Sequence, residues 1–173
     1  MNILEKDMYK PIEKYLNSQG YEVFGEVKSI DVIGKKDTGD IIIVEMKKNL
    51  NMKVLTQIFK RRVYTSNVYI AILKPKKRTE QSKIVETILE RLGIGLFYVN
   101  ILESISQVQL KLKPSLKDKT DYIQREYDKL LIELDGRSGS YNRGGVVKEK
   151  IITAYREQAI FIAISLIKYG PST

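Results

Sequence analysis

SIDVIGKKDTGDIIIVEMKK, residues Ser29–Lys48, reads as two short apolar strands around a turn. The first strand is Ile30–Gly34, the turn Lys35–Gly39 and the second strand Asp40–Lys47. Asp31 opens the first strand, and Glu45 and Lys47 close the second. Alternate residues of a strand share a face, so Glu45 and Lys47 point one way and Met46 the other. The hairpin returns Asp31 to the same end. Two carboxylates and one ammonium therefore gather at the edge of an apolar sheet. Paired acids repel unless a cation sits between them. A hard divalent ion with oxygen ligands suits such a site. Asp37 and Asp40 flank the turn and read as solvated turn residues or strand-start caps. Asp40 falls on the opposite face from Glu45.

Outward from the hairpin, strands alternate with helices. Leu4–Gln19 has helical spacing at Leu4, Met8, Ile12, Tyr15 and Leu16. Pro11 belongs in the first turn of the main helix or at a kink, and Gly20 stops it. Tyr21–Lys28 alternates as a strand. Asn51–Ser66 is a helix whose apolar face is predicted as Met52, Leu55, Phe59 and Val63, with Ile58 at its margin and Gln57, Lys60, Arg61 and Tyr64 opposite. Val68–Leu73, VYIAIL, is apolar throughout, as befits a strand covered on both sides. A basic loop, Lys74–Arg78, leads to an amphipathic helix at Gln81–Leu92. Strands follow at Leu96–Val99 and Val108–Leu112, then helices at Asp118–Leu134 and Lys148–Lys168, the last with Ile151, Ile152, Tyr155, Ala159, Ile162, Ala163, Leu166 and Ile167 as its apolar face. The pattern predicts a mixed α/β sheet flanked by helices. Between the last two helices, residues 136–145 carry four glycines and two arginines without Walker spacing. That segment either seats a phosphate or only joins two helices.

The chain has 173 residues and neither cysteine nor histidine. Disulfides, thiolate metal sites, Ser-His-Asp triads and the usual zinc sites are thereby excluded. The N-terminus is too polar for a signal peptide, and the apolar run Ala159–Ile167 is too short to span a bilayer. These features predict a cytoplasmic protein. Net charge is +9, and ten Lys or Arg with no acid lie between Met46 and Thr79. Such clustering suggests a polyanionic partner, nucleic acid first. Lys48, Lys53, Lys60, Arg61, Lys76, Lys77 and Arg78 are the candidate contacts, Arg61 being suited to bidentate phosphate binding. The plain alternatives are solubility for the excess charge and a solvated polar face for the helix.

Asp31 with Glu45-Met46-Lys47 resembles the D…ExK signature of the PD-(D/E)xK nuclease superfamily, set in a helix–strand–hairpin–helix order. More specifically, the chain resembles a bacterial family of PD-(D/E)xK phosphodiesterases of unassigned role. Glu5–Ile12, Gly25–Lys28, Gln57 with Arg61, Val68–Ala71, Gly93–Leu96, Arg137–Gly139 with Asn142–Gly145, and Thr153–Glu157 carry that likeness. The resemblance implies a restriction-endonuclease-like core over 1–113 and a C-terminal helical extension over 114–173. It implies Mg²⁺ or Mn²⁺ held by Asp31, Glu45 and the Met46 carbonyl, with Glu5 or Glu26 reaching it through water. Glu13 competes with Glu5 as the acid of the first helix. Lys47 would serve the reaction beside Asp31 and Glu45, and Gln57 would order the site or touch substrate. The product is a nuclease acting on DNA before RNA, with a homodimer favoured if both strands are cut. Against it stand a structural salt bridge at Lys47 and a non-catalytic nucleic-acid binder or structural accessory subunit on the same fold.

Overall fold

The computed structural model describes residues 3–102, 106–115, 121–142 and 150–170. The predicted beginnings of the last two helices, at Asp118 and Lys148, and residues 143–145 of the glycine-rich segment lie outside them. A 3-10 turn at Glu5–Met8 runs into α1 at Tyr9–Ser18, which places Pro11 in the first α-helical turn. Gly20 then takes φ +80°, the left-handed conformation that ends helices without a Cβ penalty.

Six strands form one sheet in sequence order. They are β1 (Glu22–Val27), β2 (Ile30–Lys35), β3 (Ile41–Lys47), β4 (Val68–Leu73), β5 (Gly95–Ile101) and β6 (Ser106–Leu112). The first three pair antiparallel, β3, β4 and β5 run parallel, and β6 returns antiparallel. The parallel steps need crossovers, supplied by α2 (Met52–Arg61) and α3 (Glu80–Arg91). Asn51 caps α2 through Val54 N–H, and Thr79 with Ser82 forms a capping box on α3.

Side-chain alternation sorts the core into two layers. Ile41, Ile43, Val68, Ile70 and Leu96 meet Val54 and Ile58 of α2 and Leu89 of α3 on one face. Leu130 and Leu134 of α4 (Asp121–Asp135) join the same face. Ile42, Val44, Met46, Tyr69 and Phe97 meet Met8, Tyr9, Ile12 and Leu16 on the other. With both faces covered, the central strands read as unbroken apolar runs. The result is the mixed α/β sheet with flanking helices expected for a restriction-endonuclease-like core, with a C-terminal helix, α5, at Ala154–Tyr169.

Two expectations about helix faces are corrected. On α2, Val54 and Ile58 are the buried residues, while Met52 and Phe59 are exposed. The helix is turned so that its polar Gln57 and Arg61 approach the sheet, because a buried acid on β3 needs a partner there. On α5, Ala154 alone is buried, and Tyr155, Phe161, Ile162 and Ile167 face solvent. The predicted apolar face of that helix has no sheet against it.

Candidate active site

The β2–β3 register sets the geometry. Val32 pairs with Val44, so Asp31 and Glu45 stand opposite each other one step further along. Asp31 is buried, and its Oδ2 accepts the Met46 N–H at 2.7 Å. Lys47 Nζ lies 3.5 Å from the same oxygen and donates to Glu5 Oε2 at 3.3 Å. Glu5 Oε1 accepts the Lys48 N–H at 3.2 Å. The 3-10 turn thus brings an acid from the N-terminal segment to the end of β3. Lys47 keeps 17% of its side chain open to solvent, so the cluster is not sealed.

Glu45 is completely buried. Arg61 Nε donates to its Oε1 at 2.6 Å, and the Arg61 guanidinium also donates to the Ser29 carbonyl. Glu45 Oε2 is buried with no hydrogen-bond partner among the described residues. Gln57 Oε1, one helical turn before Arg61, is likewise buried and unpartnered. An orphaned buried acceptor is costly unless something outside the chain satisfies it.

The local field agrees. Burial and the neighbouring Asp31 charge push the Glu45 carboxyl up to about 7, against the opposing pull of Arg61 and Lys47. Burial also raises Asp31, partly offset by Lys47 and the Met46 N–H. Burial alone would lower Lys47, but Asp31, Glu5 and Glu45 outweigh it and hold the ammonium above its ordinary value. Lys47 is a fixed positive charge here. Three acids, Glu5, Asp31 and Glu45, face two cations, Lys47 and Arg61, which leaves a net negative site when all are ionised.

The predicted residues divide accordingly. Asp31, Glu45, Met46, Lys47 and Glu5 come together. Glu26 lies across from Asp31 between the Gly25–Val32 and Val27–Ile30 pairs, but it lines a separate cavity with Lys28, Ser29 and Arg156. Among the described residues, no three acids are grouped as a metal cluster. Arg61, expected to contact phosphate, is instead committed to Glu45. Lys53, Lys60, Lys76, Lys77 and Arg78 are exposed, and Lys48 is half-buried beside Glu5. In the glycine-rich segment, Arg137 is buried against Glu133, Ser138 is bonded to Glu157, and Asn142 clasps the Ile152 backbone. These described residues tie α4 to the start of α5.

Sequence reasoning passed over Glu86. This buried acid of α3 accepts Tyr98 Oη–H and Arg78 Nη2–H, each at 3.0 Å, and lies 3.4 Å from Lys111 Nζ. Its one sequence signal is an acid placed between Val85 and Leu89, on the apolar side of an amphipathic helix.

No curated protein and no solved structure matches the chain. A family model does, over the segment from β5 through α5, which lies downstream of Asp31, Glu45 and Lys47. The family is described as "Putative PD-(D/E)XK phosphodiesterase (DUF2161)", its model matches residues 97–173, and it is the family that the sequence motifs resemble.

Proposed function

We propose that the protein is a metal-dependent nuclease that hydrolyses phosphodiester bonds in nucleic acid, with DNA as the first substrate to test. The observation that carries this reading is the buried, unpartnered Oε2 of Glu45 beside Asp31. A salt bridge that engaged both carboxylate oxygens would leave neither for an ion to satisfy. This one satisfies Oε1 alone. Asp31, Glu45 and the Met46 carbonyl would hold Mg²⁺ or Mn²⁺, consistent with magnesium's habit of using one or two carboxylates plus waters and phosphate. The chemistry such an ion supplies when bound is polarisation of a phosphate oxygen and a lowered pKa for water.

The chain's own residues do the rest. Asp31 keeps its carboxylate aligned through the Met46 N–H. Lys47, held protonated by its acidic neighbours, offsets charge building on the phosphate and does not serve as general base. Glu5 fixes Lys47 at the end of β3. Arg61 neutralises Glu45 when the acids are otherwise uncompensated. Lys48, Lys53, Lys60, Lys76, Lys77 and Arg78 would contact the backbone without reading sequence.

The reading includes a cytoplasmic location and a homodimer. For the dimer, the support is α5. Over residues 159–167 it carries no charge and exposes Ile160, Phe161, Ile162, Ile164, Leu166 and Ile167, and a surface of that kind ordinarily marks an interaction site.

Cleavage of plasmid, linear duplex, single strands and RNA in Mg²⁺ or Mn²⁺ tests the enzyme reading. Asp31→Ala and Lys47→Ala are both expected to abolish hydrolysis. Asp31→Ala should bind substrate as well as wild type or better, since a negative charge is gone. Equal cleavage by wild type and both variants would end the assignment. A wild type that binds but never cuts would leave a non-catalytic binder.

A further inference from the structure

Three adjoining cavities of about 770, 380 and 270 Å³ share Lys74 and Tyr98 as walls. The first opens at Lys48, immediately after the acid cluster, where β3 and β4 end beside Tyr98 of β5. The others continue past β5 to Gln109 and Lys111 on β6. Together they form a trough across the strand ends. Crossing three strand spacings makes it roughly 14 Å long. Among the described residues, its cations are Lys48, Lys74, Lys76, Arg78 and Lys111, and its one acid is Glu86.

Glu86 is spoken for. It holds Tyr98 on the trough floor, with Arg78 and Lys111 on either side. Burial would push its carboxyl up, but Tyr98, Arg78 and Lys111 outweigh burial and keep it below the usual range. It therefore stays ionised at neutral pH and fixes two cations at the far end of the trough.

We propose that this trough seats one strand of the nucleic acid beside the acid cluster, its phosphates running from Lys48 past Lys74 to Arg78 and Lys111, with Glu86 as the positioning residue. The proposal rests on the nuclease reading of Asp31, Glu45 and Lys47. At about 3.4 Å of rise per nucleotide in a stacked strand, the trough holds about four nucleotides. Lys111 and Glu86 gain roles that the sequence did not give them. The net positive charge of the trough makes a polyanion the fitting occupant.

The test uses the full chain, a fluorescent oligonucleotide in single-stranded and duplex form, and EDTA to prevent turnover. Anisotropy titrations over a salt series give affinity and its salt slope. Each lost phosphate contact should remove about 0.7 to 0.9 from that slope. Lys74→Ala/Lys111→Ala should lower affinity by about tenfold or more near 0.1 M salt and flatten the slope by roughly 1.4 to 1.8. Lys14→Ala/Lys129→Ala, which removes the same charge elsewhere, should have a much smaller effect. Glu86→Gln is the sharper arm. Simple charge counting says that it tightens binding, whereas a positioning role says that it weakens it. A thermal melt checks that this variant is folded, and the lysine pair carries the test if it is not. Equal effects from the two lysine pairs, or tighter binding by folded Glu86→Gln, would overturn the trough. That result leaves the site intact if wild type still cleaves. Loss of binding by the trough variants of a protein that never cleaves would instead sink the enzyme reading alone.

Discussion

Glu45 is a carboxylate taken wholly out of water, with one oxygen on Arg61 and the other on none of the described residues. Its carboxyl, at about 7 in the folded protein against an ordinary 4.5, binds its proton more tightly folded than unfolded. Its contribution to stability is therefore complete below about 4.5 and is lost as pH rises through about 7, opposite in sign to a salt-bridged surface acid. Asp31, also raised, acts in the same direction, while Glu86, held low, opposes them. The expected outcome is a stability advantage of Glu45→Gln over wild type that grows between pH 5 and pH 8, on the order of 3 kcal/mol in all. Urea titrations of both proteins at each pH read it directly, and a flat difference would remove the raised pKa. Arg61→Met should behave as the mirror case. Unpairing a buried carboxylate costs about 3–5 kcal/mol when it stays charged. The variant should therefore be much weaker than wild type at pH 8 and only slightly weaker at pH 5, where Glu45 takes up a proton.

At the scale of elements, two turns of chain show how local chemistry positions the site. The β1–β2 hairpin closes through Lys28 and Ser29, both with positive φ, between the paired residues Val27 and Ile30. Positive φ at both central residues is the pattern of a type I′ turn, which usually carries Asn-Gly. Lys-Ser hides it from a reading of sequence. Ser29→Gly should relax the turn and stabilise the fold by about 1 kcal/mol, visible as a rise in Tm of roughly 2–4 °C. No rise would mean that the surrounding contacts, including Arg61 on the Ser29 carbonyl, outweigh the strain. The second case is Gly95 at the start of β5. A Cβ there would stand 2.2 Å from the Tyr69 ring, which stacks on Phe97 at 4.5 Å between centroids. Gly95→Ala should cost about 1–3 kcal/mol by overpacking, and the rescue variant Gly95→Ala/Tyr69→Val should recover part of it in the same denaturation assay.

For the whole molecule, charge and apolar surface divide between two regions. Basic side chains crowd the strand ends around the acid cluster, and apolar ones crowd α5, where residues 158–167 carry no charge. That stretch is too short to cross a bilayer, and no helix among the described residues is long and apolar enough to do so. Nor is it amphipathic, as a helix lying on a membrane surface would be. A second copy fits better. Glu157 at one end and Lys168 at the other would complement each other in an antiparallel two-fold pair. Sedimentation across a concentration series should show a monomer–dimer equilibrium, and Phe161→Glu/Ile167→Glu should sediment as a monomer. A wild type that stays monomeric throughout would end the dimer reading.

Element order, the two-faced core and the pairing of Asp31 with Glu45 follow from the sequence, because strand alternation and a short turn are local and leave one register that buries the isoleucines. Ser29–Lys48 already contains that information. Tertiary structure decided which way the helices turn. The sequence of α2 puts Met52 and Phe59 on an apolar face, yet buried Glu45 draws Gln57 and Arg61 inward and leaves them outside. The same holds for Glu86, whose acid looks misplaced on α3 until β5 and β6 bring Tyr98 and Lys111 to it. A charge's worth depends on what other segments place beside it, and neither helical spacing nor composition records those neighbours.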